Sequence, residues 1–556
     1  MTPTSLTASI FLLRILVPLH FLSANLGFTQ IFGDDPPKIL ESLFWTRQPC
    51  FWPSEQVLPM GFWVLGSGLA IFKNIVAAHL LLNTILSLGV MAAAAALTRR
   101  IFPEDGSAPM FAALFAGLHP VFLVHGMSAL LEFPLLNLFT LCGCIFFLRA
   151  RDAGESRDLL FAALCFAAAS MTRYDGWFPC VIFSIILLRD MLRLRRAARR
   201  VPWAFPSSLL IVWAHSFAWL AYKWRGPLQL LSSEHALRSV KPPDWNSLPG
   251  YAAEMLSRPF QDLFMRFSVI LAFCAVGLAY SLRKRLPVRK DFLAFPVGQA
   301  LCLAPFYALG FLNPFCHCSH FAPAAALLTP LAGRGASAAV EAFPFPKIGR
   351  VLLAAALSSL FLWRFPAMVR SSNNYTPDMI RLASLLRDLD ARDSLRASSA
   401  ALIELQPSEN ASFGRIWEPQ LLLLLHPNPS PPQDLPTANA SDPIFFDRGW
   451  SPVRKEDDIV FDDKANPSIL SRPPAELSAF LRKNQIKIAA VLSPLSARRL
   501  EAWMQPAAAF GRYRILTSKD LPELRQAVER AAPALLHGRG LMLYREFEFL
   551  SRAGDP

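Results

Sequence analysis

Charged residues are scarce in this chain. They make up 17% of its 556 residues, and hydrophobic residues make up 53%; an average soluble domain carries about 25% charge. That shortage excludes an ordinary soluble globular protein. Cysteine stops early: there are nine, an odd count, and none follows Cys318, so no disulfide framework is expected in the last third of the chain. The first apolar block, Ser5–Ile31, has no small-residue cleavage site and more such blocks follow, so it reads as a span rather than a removed signal. No internal repeat is visible, which disfavours a transporter or flippase built from duplicated halves. The net charge of +14 does not indicate nucleic acid, because the cations sit in short loops between apolar blocks, as membrane topology requires.

What is present is a series of blocks of roughly 18–22 apolar residues, each long enough to cross a ~30 Å hydrocarbon core. About eleven spans are predicted, near 8–31, 75–97, 108–125, 129–148, 158–172, 176–191, 203–222, 262–282, 291–312, 320–334 and 349–367. Residues 1–367 are therefore expected to form a polytopic α-helical membrane domain. Loop charge sets its orientation. With the N-terminus in the cytoplasm, the basic loops Thr98–Ser107, Arg149–Arg157, Arg189–Arg200, Leu282–Lys290 and Gly333–Arg350 all fall inside, which satisfies the positive-inside rule. The outer face then collects the first loop to Asn74, the turns His119–Glu132 and Thr172–Gly176, the loop Lys223–Gln261 and the turn Asn313–His320. Ile39–Trp45 and Phe62–Phe72 read as interfacial helices anchored by Trp45, Trp52 and Trp63.

Residues 368–556 are polar and Pro-rich, and are expected to form an exoplasmic α/β domain. Met379–Leu389 and Ala475–Lys483 have helical patterns. Ile486–Leu492 and Gly540–Phe547 look like strands, and Pro427–Pro436 is a loop. Asn374, Asn410 and Asn439 begin Asn-x-Ser/Thr triplets, for which chance is sufficient explanation.

Chemistry concentrates on the predicted outer face. Asp34 and Asp35 end the first span, where a carboxylate beside hydrocarbon is costly and two neighbours perturb each other's titration. The same pair, preceding Pro36-Pro37, would also serve as a helix start. Glu132 opens a span, either as a site acid or as a helix N-terminal acid. Arg173 and Asp175 flank a tight turn closed by Gly176; they form either a site or an interfacial salt bridge. His119 and His125 read as satisfied interfacial histidines. Cys316-His317-Cys318-Ser319-His320 invites a zinc reading, but the spacing is tight for one ion; a disulfide to Cys50 or Cys180 is the alternative.

Five of these pieces, taken in order, resemble the GT-C superfamily of membrane glycosyltransferases, and within it the family 39, protein-mannosyltransferase-like group. They are Gly33-Asp34-Asp35, the stretch Trp52-Pro53 to Leu58-Pro59-Met60-Gly61-Phe62-Trp63, and His119-Pro120-Val121 with Ser128–Glu132. The last two are Thr172-Arg173-Tyr174-Asp175-Gly176 and Cys318–Pro323, where relatives often carry an Arg-Tyr pair and this chain does not. The resemblance covers roughly residues 1–366.

The resemblance implies inverting transfer of a hexosyl or pentosyl group from a polyprenyl-phosphate sugar to a glycan, lipid or protein acceptor at the exoplasmic face of the plasma membrane. It implies Asp34 as the base, with Asp35 and Glu132 shaping its field, orienting the acceptor or holding a divalent cation with it. Arg173 is then expected to bind the donor phosphate, with Lys223, Arg225 and His320 behind it.

Overall fold

The computed structural model describes residues 3–24, 38–39, 42–43, 45–46, 48–52, 58–72, 75–127, 131–224, 248–284, 289–308, 319–371, 382, 385–386, 389, 400–404, 444–447, 451–455, 458–462, 469–510 and 513–537. Asp34, Asp35, Arg225, Cys316–Cys318, Pro427–Pro436, Gly540–Phe547 and the three Asn-x-Ser/Thr sites lie outside the described residues. Lys223 lies on a described helix, but its side chain is not described.

Two compact units emerge. The first comprises Met1–Leu19, Gln48–Ala70 and Ala77–Ser372; the second comprises His20–Arg47, Ile71–Val76 and Asn373–Pro556.

The helices are, in chain order, α1 (Pro3–Ala24), α2 (Met60–Phe72), α3 (Ile75–Ile101), α4 (Ala108–Leu118), α5 (Pro120–His125), α6 (Glu132–Ala153) and α7 (Ser156–Ser170). They continue with α8 (Trp177–Arg196), α9 (Ala204–Trp224), α10 (Leu248–Arg283), α11 (Lys290–Ala308), α12 (Ala322–Glu341) and α13 (Pro346–Ser371). Among the described residues five stretches are long and apolar enough to cross a membrane: Ala78–Ile101, Glu132–Ala153, Ala204–Tyr222, Arg266–Arg283 and Pro346–Pro366. The other helices are shorter, less apolar or more charged.

The expected span 108–125 is two helices rather than one. Pro120 has no N–H to give and restricts His119 to an extended conformation, and His119 has ψ 132° where α4 ends. The expected interfacial segment Phe62–Phe72 lies on α2.

Large aromatics fill the centre of the first unit, with Phe111, Phe115, Phe147, Phe166, Phe183, Phe267, Phe295 and Phe361 fully enclosed. α12 is buried along most of its length and packs on α10 and α4. The α10–α12 crossing needs glycine. A Cβ on Gly335 would stand 1.9 Å from the Phe273 carbonyl oxygen, and one on Gly277 2.3 Å from that of Leu331. Small residues at a crossing let two backbones touch where lipid offers no hydrophobic drive for association.

In the second unit a mixed five-stranded sheet has the order β2-β1-β5-β7-β6. Its strands are β1 (Ala400–Glu404), β2 (Ile444–Asp447), β5 (Ile486–Val491), β6 (Met504–Phe510) and β7 (Tyr513–Ser518). β3 (Ser451–Lys455) and β4 (Asp458–Asp462) form a separate antiparallel pair. β1 is parallel to β2 and β5, and β7 is antiparallel to β5 and β6. α14 (Pro474–Lys483), α15 (Pro494–Leu500) and α16 (Pro522–His537) accompany the sheet. The expected strand at Ile486 and helix at Ala475 are both present. Glu404, at the end of β1, accepts from the Leu492 and Ser493 amides and the Ser496 hydroxyl, which ties the start of α15 to the sheet. Leu382, Leu385, Leu386 and Leu389 are helical and buried, the spacing of one helix face.

Candidate functional site

The turn between α7 and α8 is built for close approach. Thr172 donates its hydroxyl to the Ala169 carbonyl at 2.6 Å. Gly176 lies against the end of α7, where a Cβ would meet the Ala169 carbonyl oxygen at 2.2 Å. Arg173 stays extended, and Tyr174–Gly176 make one 3-10 turn. The turn therefore projects Arg173 and Asp175 from one short backbone segment.

Three distant stretches of chain converge on that turn. Arg173 donates from Nη1 to Glu132 Oε2 and from Nε to Asp175 Oδ2, each at 3.0 Å. Asp175 Oδ1 is 2.7 Å from His320 Nδ1. The carboxylates are almost enclosed, with 4% side-chain exposure each, and Arg173 retains 21%. The Arg173 guanidinium also lies 4.3 Å from the Phe133 ring centroid, a cation–π distance. Two edges and one face of the guanidinium are thus fixed, and Nη2 has no acceptor among the described residues.

Backbone strain accompanies this cluster. Leu131, immediately before Glu132, has φ 56°, the left-handed region that a branched residue enters only at a cost of roughly 1 kcal/mol or more. α6 begins there, so Glu132 is both its N-terminal acid and the partner of Arg173.

Electrostatics reinforce the arrangement. Burial alone pushes the Asp175 carboxyl up, but the charges and hydrogen bonds of His320 and Arg173 outweigh it and hold the group at about 2. For Arg173, burial disfavours the charge, and Asp175 and Glu132 more than reverse that, so its proton is held more tightly than usual.

Of the residues expected from sequence, the structure brings Glu132, Arg173 and His320 together. Asp175, left by the sequence as part of either a site or an interfacial salt bridge, is the link between Arg173 and His320. Asp34, Asp35 and Arg225 lie outside the described residues, and the side chain of Lys223 is not described.

Other groups lie nearby, the two histidines read from sequence as interfacial among them. His119 stacks on Phe267 at 5.3 Å and meets Phe361 edge-on at 5.1 Å. His125 lies 3.9 Å from Phe133, the ring under Arg173. Arg266 acts electrostatically on His125, and Arg364 on His119. Arg14, 3% exposed on α1, donates to the Ser87 hydroxyl at 2.7 Å. An arginine inside an apolar span is a signal that could have flagged it.

An aromatic group borders the turn. Trp219 donates to the Tyr174 hydroxyl at 3.1 Å, and Trp52 stacks on Tyr222 at 4.3 Å. Tyr222 precedes Lys223 on α9. Among the described residues no three His, Cys, Asp or Glu side chains gather as a metal site. Cys180 is a buried thiol hydrogen-bonded to the Phe166 and Gly176 carbonyls, and it has no disulfide partner among the described residues.

Residues 53–219 match the family described as dolichyl-phosphate-mannose-protein mannosyltransferase. That match includes Glu132, Arg173 and Asp175. No curated protein matches the sequence.

Among solved structures, the apo state of ArnT from Cupriavidus metallidurans is similar, with TM-score 0.50 and 14% identity over 94% of this chain and 98% of that one. The same protein bound to undecaprenyl phosphate gives TM-score 0.46 and 14% identity, covering 92% and 98%. The apo oligosaccharyltransferase of Archaeoglobus fulgidus gives 0.43 and 12%, covering 96% and 78%. At this identity the likeness is one of fold. The resemblance to the GT-C superfamily of membrane glycosyltransferases therefore stands on a family match over part of the chain and on an ArnT-like architecture.

Proposed function

We propose that the chain is a membrane glycosyltransferase that moves a monosaccharide from a polyprenyl-phosphate donor to a glycan, lipid or protein acceptor at the exoplasmic face, with inversion. The observation that supports this reading most is the chain Glu132–Arg173–Asp175–His320, assembled from three separate segments at one end of the helices. The family match over residues 53–219 supports a dolichyl- or related polyprenyl-phosphate donor.

In this reading the acceptor nucleophile attacks the anomeric carbon as the bond to the phosphate oxygen breaks, and the polyprenyl phosphate leaves with the bonding electrons. Asp34 takes the acceptor's proton. Arg173 meets the leaving phosphate through its remaining N–H groups, since its fork is already aimed by two carboxylates and needs no reorganisation as charge develops. Glu132 and Asp175 act as its positioning residues, and His320 holds Asp175. Lys223 and Arg225 supply further positive charge to the donor. Asp35 either helps Asp34 or caps the helix after it. Residues 368–556 contribute to acceptor binding.

The test is transfer from a labelled polyprenyl-phosphate sugar by purified full-length protein. Asp34→Asn is expected to abolish transfer with folding intact. Near-normal turnover in that variant would remove Asp34 from the base role.

A further inference from the structure

The helices that begin at the Arg173 cluster end in a second ionic site. α6 has 22 residues and α8 has 20, about 33 and 30 Å at 1.5 Å per residue, close to one hydrocarbon thickness. At their far ends they meet the start of α11 around a cavity of about 520 Å³.

Three arginines in its wall are matched by three aspartates. Arg151 pairs with Asp190, Arg189 is 3.1 Å from Asp291, and Arg289 is 2.6 Å from Asp152. Arg193 and Lys290 also line the cavity, and neither has a carboxylate partner among the described residues. The wall therefore carries two positive charges in excess. The matched pairs brace the three helix ends, and the unmatched pair faces a concave space.

The flank of α8 is apolar. Ile185, Leu188 and Leu192 are 60%, 48% and 53% exposed, and their spacing of three and four residues puts them on one stripe. Leu188 and Leu192 immediately precede Arg189 and Arg193. An unsatisfied cationic cavity bordered by exposed aliphatic surface suits a molecule with an anionic head and hydrocarbon chains.

We propose that this cavity binds the phosphate headgroup of an acidic glycerophospholipid, at the membrane face opposite the Arg173 cluster. The phosphate accepts from Arg193 and Lys290, and the acyl chains run along the Leu188–Leu192 stripe. Basic pockets between membrane helices take anionic headgroups by this balance of charge and apolar contact. The site does not depend on the transferase reading, so either can fail without the other.

The experiment follows the unfolding temperature of the full-length protein in neutral detergent. Dioctanoyl phosphatidylglycerol is titrated against dioctanoyl phosphatidylcholine and inorganic phosphate. Phosphatidylglycerol is expected to raise the unfolding temperature saturably, phosphatidylcholine to leave it unchanged, and inorganic phosphate to act only at far higher concentration. Arg193→Gln and Lys290→Gln are each expected to weaken phosphatidylglycerol binding roughly fivefold, and Asp291→Asn, which removes one negative charge from the wall, to tighten it. Equal binding by the glutamine variants, or an equal response to phosphatidylcholine, overturns the proposal. Saturation by inorganic phosphate at the same concentration assigns the cavity to a free anion and overturns the lipid reading.

Discussion

The two ends of α6 and α8 use the same side chains for different physical ends. At the N-terminal ends, one arginine is held by two carboxylates with 4% side-chain exposure. At the C-terminal ends, Asp152 and Asp291 keep 35% and 33% exposure and share several arginines. An enclosed ion pair is poor stabilisation relative to an apolar pair, yet breaking it is expensive, because the surviving charge has no water. An exposed network is cheap to form and cheap to lose. The enclosed form lies beside a left-handed Leu131 and a glycine-dependent turn.

The sharpest test of this contrast is its sidedness. Tyr174 and Arg193 are both exposed and lie at the two ends of α8. In cells, Tyr174→Cys is expected to react with an impermeant thiol reagent from outside, and Arg193→Cys only after permeabilisation. Labelling of both from one side would collapse the distinction.

Next in size is Arg173→Ala, which takes the shared guanidinium away from the enclosed carboxylates of Glu132 and Asp175. A loss of about 3–5 kcal/mol is expected, read by denaturant unfolding in detergent, together with a raised apparent donor KM. Adding Glu132→Gln and Asp175→Asn to that variant should restore stability but not donor affinity. An apparent donor affinity unchanged by Arg173→Ala would refute the phosphate role.

The acid side of the stability profile gives a smaller effect. The folded Asp175 carboxyl sits at about 2, below the ordinary ~3.9 of an unfolded aspartate. Its stabilisation is therefore fully present above pH ~4 and is lost as pH falls toward 2, a change of roughly 2 kcal/mol. Asp175→Asn should flatten the unfolding-temperature profile over that interval and leave its shape above pH 5 unaltered. A wild-type-like slope below pH 4 would show that Asp175 is not the group responsible.

Smallest of all is Asp152→Asn at the other end. It removes two ion pairs, with Arg100 at 2.7 Å and Arg289 at 2.6 Å, but the side chains are about one-third exposed. Less than about 1 kcal/mol is expected. A loss as large as that of Arg173→Ala would erase the contrast between the ends.

Much of the helical scaffold was legible in the sequence because hydrophobic block length and loop charge are local properties. The basic loops at Arg149, Arg189 and Arg289, assigned to one side by charge alone, do meet at one end of the helices. The break at His119–Pro120 was missed because composition carries a hydrophobic window across a proline that the backbone cannot follow. Asp175 was undervalued for a different reason. In the sequence it is two residues from Arg173 and reads as half of a local salt bridge. Its second partner, His320, is 145 residues away.

The sequence by itself determined that this chain is membrane-embedded, where its apolar blocks fall and which turns carry ionisable groups, since all of these follow from residue type and spacing. Only the tertiary structure decided that Glu132, Arg173, Asp175 and His320 form one connected chain. The geometry of that chain depends on helix ends brought together by packing, with a left-handed Leu131 and a glycine at 176 allowing the close approach. The number of carboxylates around one guanidinium is a property of that meeting, and no single stretch of sequence contains it.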